Sequence, residues 1–235
     1  WGRGVRSCIR RDEFERFERL FLESDYLKDG YIFQTRKIYP LQALSLSRIR
    51  NPEIKIKEMV SKTQKGNLGP WIDVFPYDNV PDDSKLRYKQ YKKLTFYNKL
   101  IKLFLLVHVN PEDVGVKRII KKIIQTFNER LGNSNFLLPI IFKLRHKQMT
   151  KYNHLNTSHS SDLAFMYYKD YEDFKKRFFK NEDLSDLILG EFEGHQFYIP
   201  KKYHEILTTH YGNYMELPPE SERKVHKIEI IKDQD

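Results

Sequence analysis

The chain has 235 residues, a net charge of +10 and a single cysteine, and it begins with Trp1 rather than Met. The length suits one domain with a real hydrophobic core, and the 16 Phe and 15 Tyr exclude a disordered chain, because disordered segments are poor in aromatic residues. The single cysteine excludes a disulfide framework and a cysteine-rich zinc site. No apolar run reaches the roughly 18 residues that a membrane-spanning helix needs, and the start at Trp1 predicts a piece of a longer protein.

The positive charge is concentrated in one segment. Between Lys85 and Lys151 there are 16 lysines and arginines but three acidic residues, whereas the rest of the chain holds 26 basic and 29 acidic residues. Such a block indicates an anionic partner, meaning a phosphate-rich polymer, nucleic acid or a membrane surface, and a merely solvated basic face is the alternative. Nucleic acid is the weaker interpretation, because no base-stacking platform or known motif accompanies the lysines.

The first 80 residues are predicted to form one helix and several short strands. Phe14, Phe17, Leu20 and Phe21 recur at helical spacing and predict an amphipathic helix over residues 11–23. The other predicted elements are strands at 31–39, 54–60 and 71–75, the last closed by Pro76, and a turn at 67–70.

The basic segment is predicted to be helical, with apolar stripes over 100–105 and 116–127 and, after a break at 133–139, an apolar run at 140–144. The second stripe consists of Val116, Ile119, Ile120, Ile123, Ile124 and Phe127, with Lys117, Arg118, Lys121 and Lys122 on the other face. This make-up is typical of an interfacial helix that docks on anionic lipid or polymer. The alternative is an ordinary surface helix that packs its apolar face on a core.

The C-terminal third is rich in histidines and turn residues. The predicted elements are a polar loop at 152–162, a hairpin at 190–200 with Gly194 at its turn, a helix at 203–211 capped by Gly212, and a frayed polar tail over the last dozen residues. His154 and His159 could form a metal cluster with Asp162, although histidines in such loops are more often simply exposed. His204 and His210 are predicted to lie at the surface or at a helix end.

Asp73 is the one carboxylate inside the apolar run Trp-Ile-Asp-Val-Phe-Pro. An unpaired charge in apolar surroundings is costly, so Asp73 must be hydrogen-bonded, ion-paired or bound to a cation. Cys8 lacks any partner motif and is predicted to be a small buried thiol.

Two segments together carry a recognisable pattern. One is Gly-Pro-Trp-Ile-Asp-Val-Phe-Pro-Tyr-Asp at residues 69–78. The other contains Phe-Glu-Gly-His-Gln-Phe-Tyr-Ile-Pro-Lys-Lys-Tyr at 192–203 and Tyr-Gly-Asn-Tyr-Met-Glu-Leu-Pro-Pro at 211–219. They resemble the LicD family, the phosphotransferases that include phosphorylcholine transferases of bacterial surface glycans and the fukutin-related proteins. The tail motif is long and specific, and the resemblance covers nearly the whole chain.

The resemblance implies an α+β fold with a nucleotidyltransferase-like mixed sheet flanked by helices. Residues 1–235 would then be a single, N-terminally incomplete domain, with 85–151 as a basic helical insertion. It further implies transfer of a phospho-alcohol, typically phosphorylcholine, from a cytidine diphosphate donor such as CDP-choline. The acceptor would be a lipopolysaccharide, a lipid-linked polysaccharide or a teichoic-type polymer, so the expected location is the cytoplasm, with peripheral docking at the inner membrane face. Mg²⁺ or another divalent cation would bridge the donor phosphates.

The metal motif of this chain departs from the family's pattern. In the family, a Trp is followed by Asp-Asp-Asp-Ile-Asp and later by Arg, an acidic pair, an aromatic residue and Arg-Phe. This chain aligns without a gap from Trp1 to Phe17, yet the aspartate positions read Gly2, Arg3, Gly4 and Arg6. A further family aspartate is retained as Asp73. Arginine cannot ligate a metal, and one carboxylate alone is a poor magnesium site.

The resemblance therefore leaves three hypotheses open. The chain is an inactive relative that binds the nucleotide donor or an anionic polymer, or the true motif is lost to a damaged gene end, or catalysis persists by another arrangement. On the family's pattern, Asp73 is the metal ligand and catalytic carboxylate, and the substrate-binding candidates are Arg3, Arg6, Trp71 and Tyr211.

Overall fold

The computed structural model describes residues 6–24, 30–40, 42–54, 56–58, 69–105, 114–131, 137–216, 219 and 228–230. The strands are β1 (Arg6–Arg10), β2 (Ile32–Gln34), β3 (Ser47–Arg50), β4 (Ile56–Glu58), β5 (Trp71–Val80), β6 (His159–Ser161), β7 (Phe178–Lys180), β8 (Leu187–Phe192), β9 (His195–Pro200) and β10 (Ile228–Ile230). The helices are α1 (Arg11–Glu23), α2 (Ser84–Phe104), α3 (Gly115–Leu131), α4 (Leu137–Met149), α5 (Tyr171–Lys175), α6 (Asn181–Ser185) and α7 (Tyr203–Tyr211).

The main sheet is mixed and is organised around the long strand β5. Its order is β2-β3-β5-β6-β7 with antiparallel pairing, and β1 joins β5 in parallel. Two further sheets are two-stranded, one formed by β4 with β10 and one by the hairpin β8–β9. The mixed α/β class is therefore confirmed, while the nucleotidyltransferase-like comparison stays a prediction.

Helices and sheet share two groups of buried apolar side chains. The first consists of Leu46, Phe75, Val80, Leu94, Met149, Leu163, Ala164 and Phe174, and the second of Ile101, Leu138, Ile141, Phe142 and Met166. Both groups draw on α2 and α4, so two of the helices in the basic segment 85–151 help to form the core. No helix within the described ranges has the length and apolar content needed to cross a bilayer.

Arg145 of α4 is fully buried and fixes this helix to its neighbours. Its Nε donates to Asn98 Oδ1 of α2 at 2.6 Å, and its Nη1 donates to Ser45 Oγ at 2.8 Å. Its Nη2 donates to the carbonyl oxygens of residues 163–165, at 2.9 Å for Leu163. Burial lowers the pKa of Arg145 to about 10, so the side chain stays charged at neutral pH. A buried cation is tolerable here because its donors meet acceptors.

Several local predictions are confirmed. Helix α1 spans the predicted residues, and it begins directly where β1 ends. The hairpin β8–β9 turns at Glu193 and Gly194, whose φ angles of 50° and 76° suit a two-residue turn. Gly212 ends α7 with φ 67°, and its N–H donates to the Thr208 carbonyl at 2.8 Å.

Other predictions need correction. The strand predicted over 31–39 ends at Gln34, because Thr35 starts a turn in which its carbonyl accepts from Tyr39 N at 2.8 Å. The strand predicted over 71–75 continues through Pro76 to Val80. Pro76 lies between the stretch of β5 that pairs with β3 and the stretch that pairs with β6, and its partner in the parallel pairing with β1 is Ile9.

Two predictions about loops and ends are wrong in part. The predicted loop at 152–162 contains β6, and the tail predicted to be frayed contains β10, which pairs with β4. The strand predicted over 54–60 is confirmed by β4 at 56–58, and residues 55, 59 and 60 lie outside the described residues. The turn predicted at 67–70 lies partly outside the described residues, which resume at Gly69. Cys8 was predicted to be buried but is exposed on β1.

Helix α3 does not pack its apolar face on the core, so that alternative is wrong. Val116, Ile119 and Ile123 are 71%, 60% and 64% exposed. The side turned toward the rest of the protein is largely polar, and Asn128 Nδ2 donates to the Leu103 carbonyl at 2.9 Å.

Candidate functional site

Asp73 of β5 forms an ion pair with Arg48 of β3. Arg48 Nε lies 2.7 Å from Asp73 Oδ1, and both side chains are largely buried. The guanidinium of Arg48 also lies over the ring of Trp71 at 5.0 Å, and that of Arg50 lies over the same ring at 4.8 Å. The sequence required Asp73 to be hydrogen-bonded, ion-paired or bound to a cation, and the structure contains the ion pair. The Trp71 ring helps to hold the Arg48 guanidinium in position.

The backbone pairing brings a family aspartate position next to Asp73. In the parallel pairing of β1 with β5, Arg6 is the partner of Asp73, and in the antiparallel pairing of β3 with β5 the partner is Arg48. Asp73 is thus flanked by an arginine position on each neighbouring strand. Gly2, Arg3 and Gly4 lie outside the described residues.

The residues present do not fit a divalent cation. Mg²⁺ prefers clustered carboxylate oxygens, whereas Asp73 is engaged by Arg48. The family's other carboxylate positions carry glycine or arginine in this sequence. Across the part of the chain that the structure describes, no three His, Cys, Asp or Glu side chains gather in a way that could hold a metal. The described charged side chains closest to Asp73 and Trp71 are therefore those of arginines.

The opposite face of β5 contains a second carboxylate, Asp78, which sequence reasoning missed. Its side chain has no solvent exposure and accepts two hydrogen bonds from Arg11, from Nε at 2.8 Å and from Nη2 at 2.6 Å. Asn153 Nδ2 donates to the same carboxylate at 2.8 Å. This network joins the start of α1 to the sheet. The sequence contained one indication of this contact. Asp78 is the last residue of the motif at 69–78, and Arg11 is the arginine of the motif that begins at Trp1.

Side chains alternate along a strand, so the odd spacing between Asp73 and Asp78 assigns them to opposite faces of β5. Helix α1 lies on the Asp78 face, because Arg11 binds Asp78 and Glu18 accepts from Ser47 Oγ at 2.7 Å. Ser47 is the β3 partner of Val74, which shares the Asp78 face.

The C-terminal motif reaches the Asp73 face. Tyr77 contacts Phe179 with ring centroids 4.9 Å apart, and Phe179 stacks on His210 of α7 at 4.2 Å. Tyr211, at the end of α7, is exposed. Burial raises the pKa of Tyr77 well above its ordinary value, and contact with Cys8 adds to this effect. Phe179 therefore links Tyr77 of the first motif to α7, the helix that joins the two parts of the C-terminal motif.

The histidines do not form the metal cluster considered from the sequence. His154 is exposed, and His159 Nδ1 lies 3.8 Å from Asp82 Oδ1. His204 Nδ1 lies 2.8 Å from the Tyr214 hydroxyl. His210 lies at the end of α7, which is one of the two predicted alternatives, and is half-buried against Phe179, where burial, assisted by Arg177, lowers its pKa to about 4.

A pocket of about 550 Å³ opens on the α1 side of the sheet. It is formed by α1, the turn that follows β2, the start of β3 and α4. Its lining residues are Arg11, Phe14, Glu15, Glu18, Arg19, Thr35, Arg36, Lys37, Pro40, Ser45, Leu46, Pro139, Phe142, Lys143 and His146. Sequence reasoning missed it because the lining comes from two regions almost 100 residues apart.

A comparison with known proteins found a similar protein. The chain is similar to the lipopolysaccharide cholinephosphotransferase LicD of Haemophilus influenzae, with 27% identity over 231 residues, which is 97% of this chain and 80% of that protein. No family model matches the chain, and no solved structure matches it. The resemblance to the LicD family that the sequence motifs predicted is confirmed by this similarity, which extends over nearly the whole chain.

Proposed function

We propose that this chain acts in the decoration of lipopolysaccharide with phosphocholine, by transferring a phospho-alcohol from a cytidine diphosphate donor to a glycan acceptor. The observation that carries the proposal is the similarity to a lipopolysaccharide cholinephosphotransferase over 97% of the chain. The contacts from Tyr77 through Phe179 to His210 support it, because they bring α7, which joins the two parts of the C-terminal motif, toward the Asp73 face of β5.

In this proposal, the Asp73 face holds the donor. Arg3 and Arg6, at the family's aspartate positions, neutralise donor phosphates in place of a bridging Mg²⁺. Arg48 contributes positive charge on the neighbouring strand, held against Trp71. Tyr211 is exposed beside this face and available to the substrate. Arginine suits the task because its planar guanidinium can bind two phosphate oxygens at once.

A second candidate function is donor binding without transfer. The ion pair between Arg48 and Asp73 favours it, because a carboxylate neutralised by arginine is a weaker metal ligand or base than a free one.

One experiment separates the two candidates. The chain is incubated with CDP-choline and lipopolysaccharide, with and without Mg²⁺, and phosphocholine incorporation and CDP-choline affinity are both measured. Incorporation that Asp73→Asn abolishes supports transfer. Binding without incorporation supports the second candidate, and absence of both contradicts the whole proposal. Asp186→Asn is the matched control, since its carboxylate is exposed and 3.4 Å from a surface lysine.

We also propose peripheral docking of the chain on an anionic membrane through α3, where a lipid-linked acceptor would be found. The exposed apolar residues of α3 form one face, and lysines and arginine flank it. A helix of this composition inserts its apolar face at the headgroup boundary while its cations attract anionic lipid.

A further inference from the structure

The pocket beside α1 is lined by more positively charged than negatively charged side chains. Five lysines and arginines face two carboxylates, and the carboxylates are those of Glu15 and Glu18. Glu18 is already engaged, because its carboxylate accepts from Ser47 and Thr35 and pairs with Lys37 at 3.1 Å.

Two of the five cations have carboxylate partners, since Arg11 pairs with Asp78 and Lys37 pairs with Glu18. The other three have no carboxylate partner among the described residues, and they are Arg19, Arg36 and Lys143. Arg19 and Lys143 are exposed at the rim, where water solvates them. Arg36 differs, because it is half-buried and its guanidinium lies 4.0 Å from the centre of the Phe142 ring.

Arg36 uses only part of its hydrogen-bonding capacity. Its Nε donates to the Gln42 carbonyl at 3.1 Å and its Nη2 donates to the Ala43 carbonyl at 3.0 Å. A guanidinium has five N–H donors, so Nη1 and the second hydrogen of Nη2 are free to bind an anion. Burial, together with the nearby charge of Arg145, lowers the pKa of Arg36 to about 9, although the charge of Glu18 acts in the opposite direction.

The remaining lining is apolar, with Phe14, Leu46 and Phe142 among its members. A volume of about 550 Å³ falls within the range of small-molecule sites. The pocket therefore combines a cationic rim with an apolar wall, a combination that suits a ligand with a phosphate group at one end.

We infer that this pocket binds the phosphate group of a phosphorylated small molecule through Arg36, with Arg19 and Lys143 at the rim and the rest of the ligand against Phe14 and Phe142. The site goes beyond the proposed function, because α1 and the pocket lie on the face of β5 opposite Asp73. Two sources share this chemistry: a nucleotide phosphate and a phosphorylated sugar of a glycan.

The test measures binding to the full chain by isothermal titration calorimetry at low salt. The probes are cytidine monophosphate and glucose 6-phosphate, which represent the two sources, and inorganic phosphate. We expect Arg36→Gln to raise the Kd of the bound probe about tenfold, because a charge-assisted hydrogen bond is lost. Lys143→Gln should raise it about threefold, since a rim charge is partly screened.

Lys147→Gln is the matched control, because this exposed lysine lies one turn further along α4 and does not line the pocket. Thermal unfolding of each variant establishes that it is folded, and Lys143→Gln keeps the test decisive if Arg36→Gln does not fold. A Kd raised by Arg36→Gln or Lys143→Gln but not by Lys147→Gln supports the site, and the tighter probe identifies the source. Absence of binding by all three probes, or a Kd that neither pocket substitution changes, overturns it.

Discussion

At the scale of single residues, Asp78 is the carboxylate whose substitution we expect to lower the stability of the protein most. It is buried and closed from three directions by two nitrogens of Arg11 and one of Asn153. Asp78→Asn removes the negative charge but leaves the Arg11 guanidinium in place. We expect a loss of about 3 kcal/mol in the free energy of unfolding, since breaking a buried ion pair leaves an uncompensated charge. Urea unfolding of both proteins measures this loss.

The control for this prediction is Asp186→Asn. Like Asp78, Asp186 has a cationic partner, which is Lys201, but both side chains of this pair are more than half exposed. The free energy of unfolding should therefore change by no more than about 0.5 kcal/mol. Equal losses for the two variants would contradict a special role of Asp78.

His210 gives the protein a predictable pH dependence. Its pKa is lowered to about 4 in the folded state, from an ordinary value of 6.5, because its ring is half-buried against Phe179. The unfolded chain therefore binds more protons at this side chain between about pH 6.5 and pH 4, and stability must fall as the pH falls through that window.

We expect His210→Phe to lose less stability than the parent protein between pH 7 and pH 4.5. Phenylalanine can keep the stacking on Phe179 but does not titrate. Urea midpoints at the two pH values measure the difference, and the substitution of exposed His154 by Phe serves as the control. Parallel losses in the parent and in His210→Phe would contradict the assignment.

At the scale of elements, α3 is the clearest departure from ordinary packing. Its apolar face is exposed, so substitutions there should change membrane binding without changing the fold. We expect the double substitution Ile123→Ser and Phe127→Ser to reduce sedimentation with vesicles that contain phosphatidylglycerol by tenfold or more, because each apolar side chain contributes about 1.5–3 kcal/mol when it leaves water.

Arg118→Gln with Lys122→Gln should also weaken this binding, but its effect should diminish as salt is raised, since salt screens charge but not apolar burial. Gln125→Ser is the control on the opposite side of α3, which is turned toward the protein. Unchanged sedimentation of the Ile123 and Phe127 variant would contradict docking through α3. A dimer that this variant abolishes would indicate instead that a second copy covers the face.

At the scale of the whole molecule, the sequence predicted what depends on neighbours along the chain. Helical spacing predicted α1, alternation with Gly194 predicted the hairpin, and Gly212 predicted the end of α7.

Features that depend on distant partners were missed. The binding of Asp78 by Arg11 joins residues 67 positions apart, and the stacking of Arg36 on Phe142 joins residues from different halves of the chain. The extension of β5 through Pro76 depends on pairing with β1 and β6, which lie far from it in the sequence. Local spacing carries no information on any of these pairings, and the unpacked face of α3 likewise depends on what the rest of the fold leaves uncovered.

The five-residue separation of Asp73 and Asp78 along β5 has a consequence for any attempt to restore a metal site. Because an odd separation directs two side chains to opposite sides of a strand, these carboxylates cannot ligate one ion however the surrounding loops are altered. A second ligand for an ion at Asp73 must come from another strand. Position 6 is the candidate, because it is the partner of Asp73 in the pairing of β1 with β5. Regaining a carboxylate there, together with release of Asp73 from Arg48, is the shortest route by which this chain could bind a divalent cation on that face.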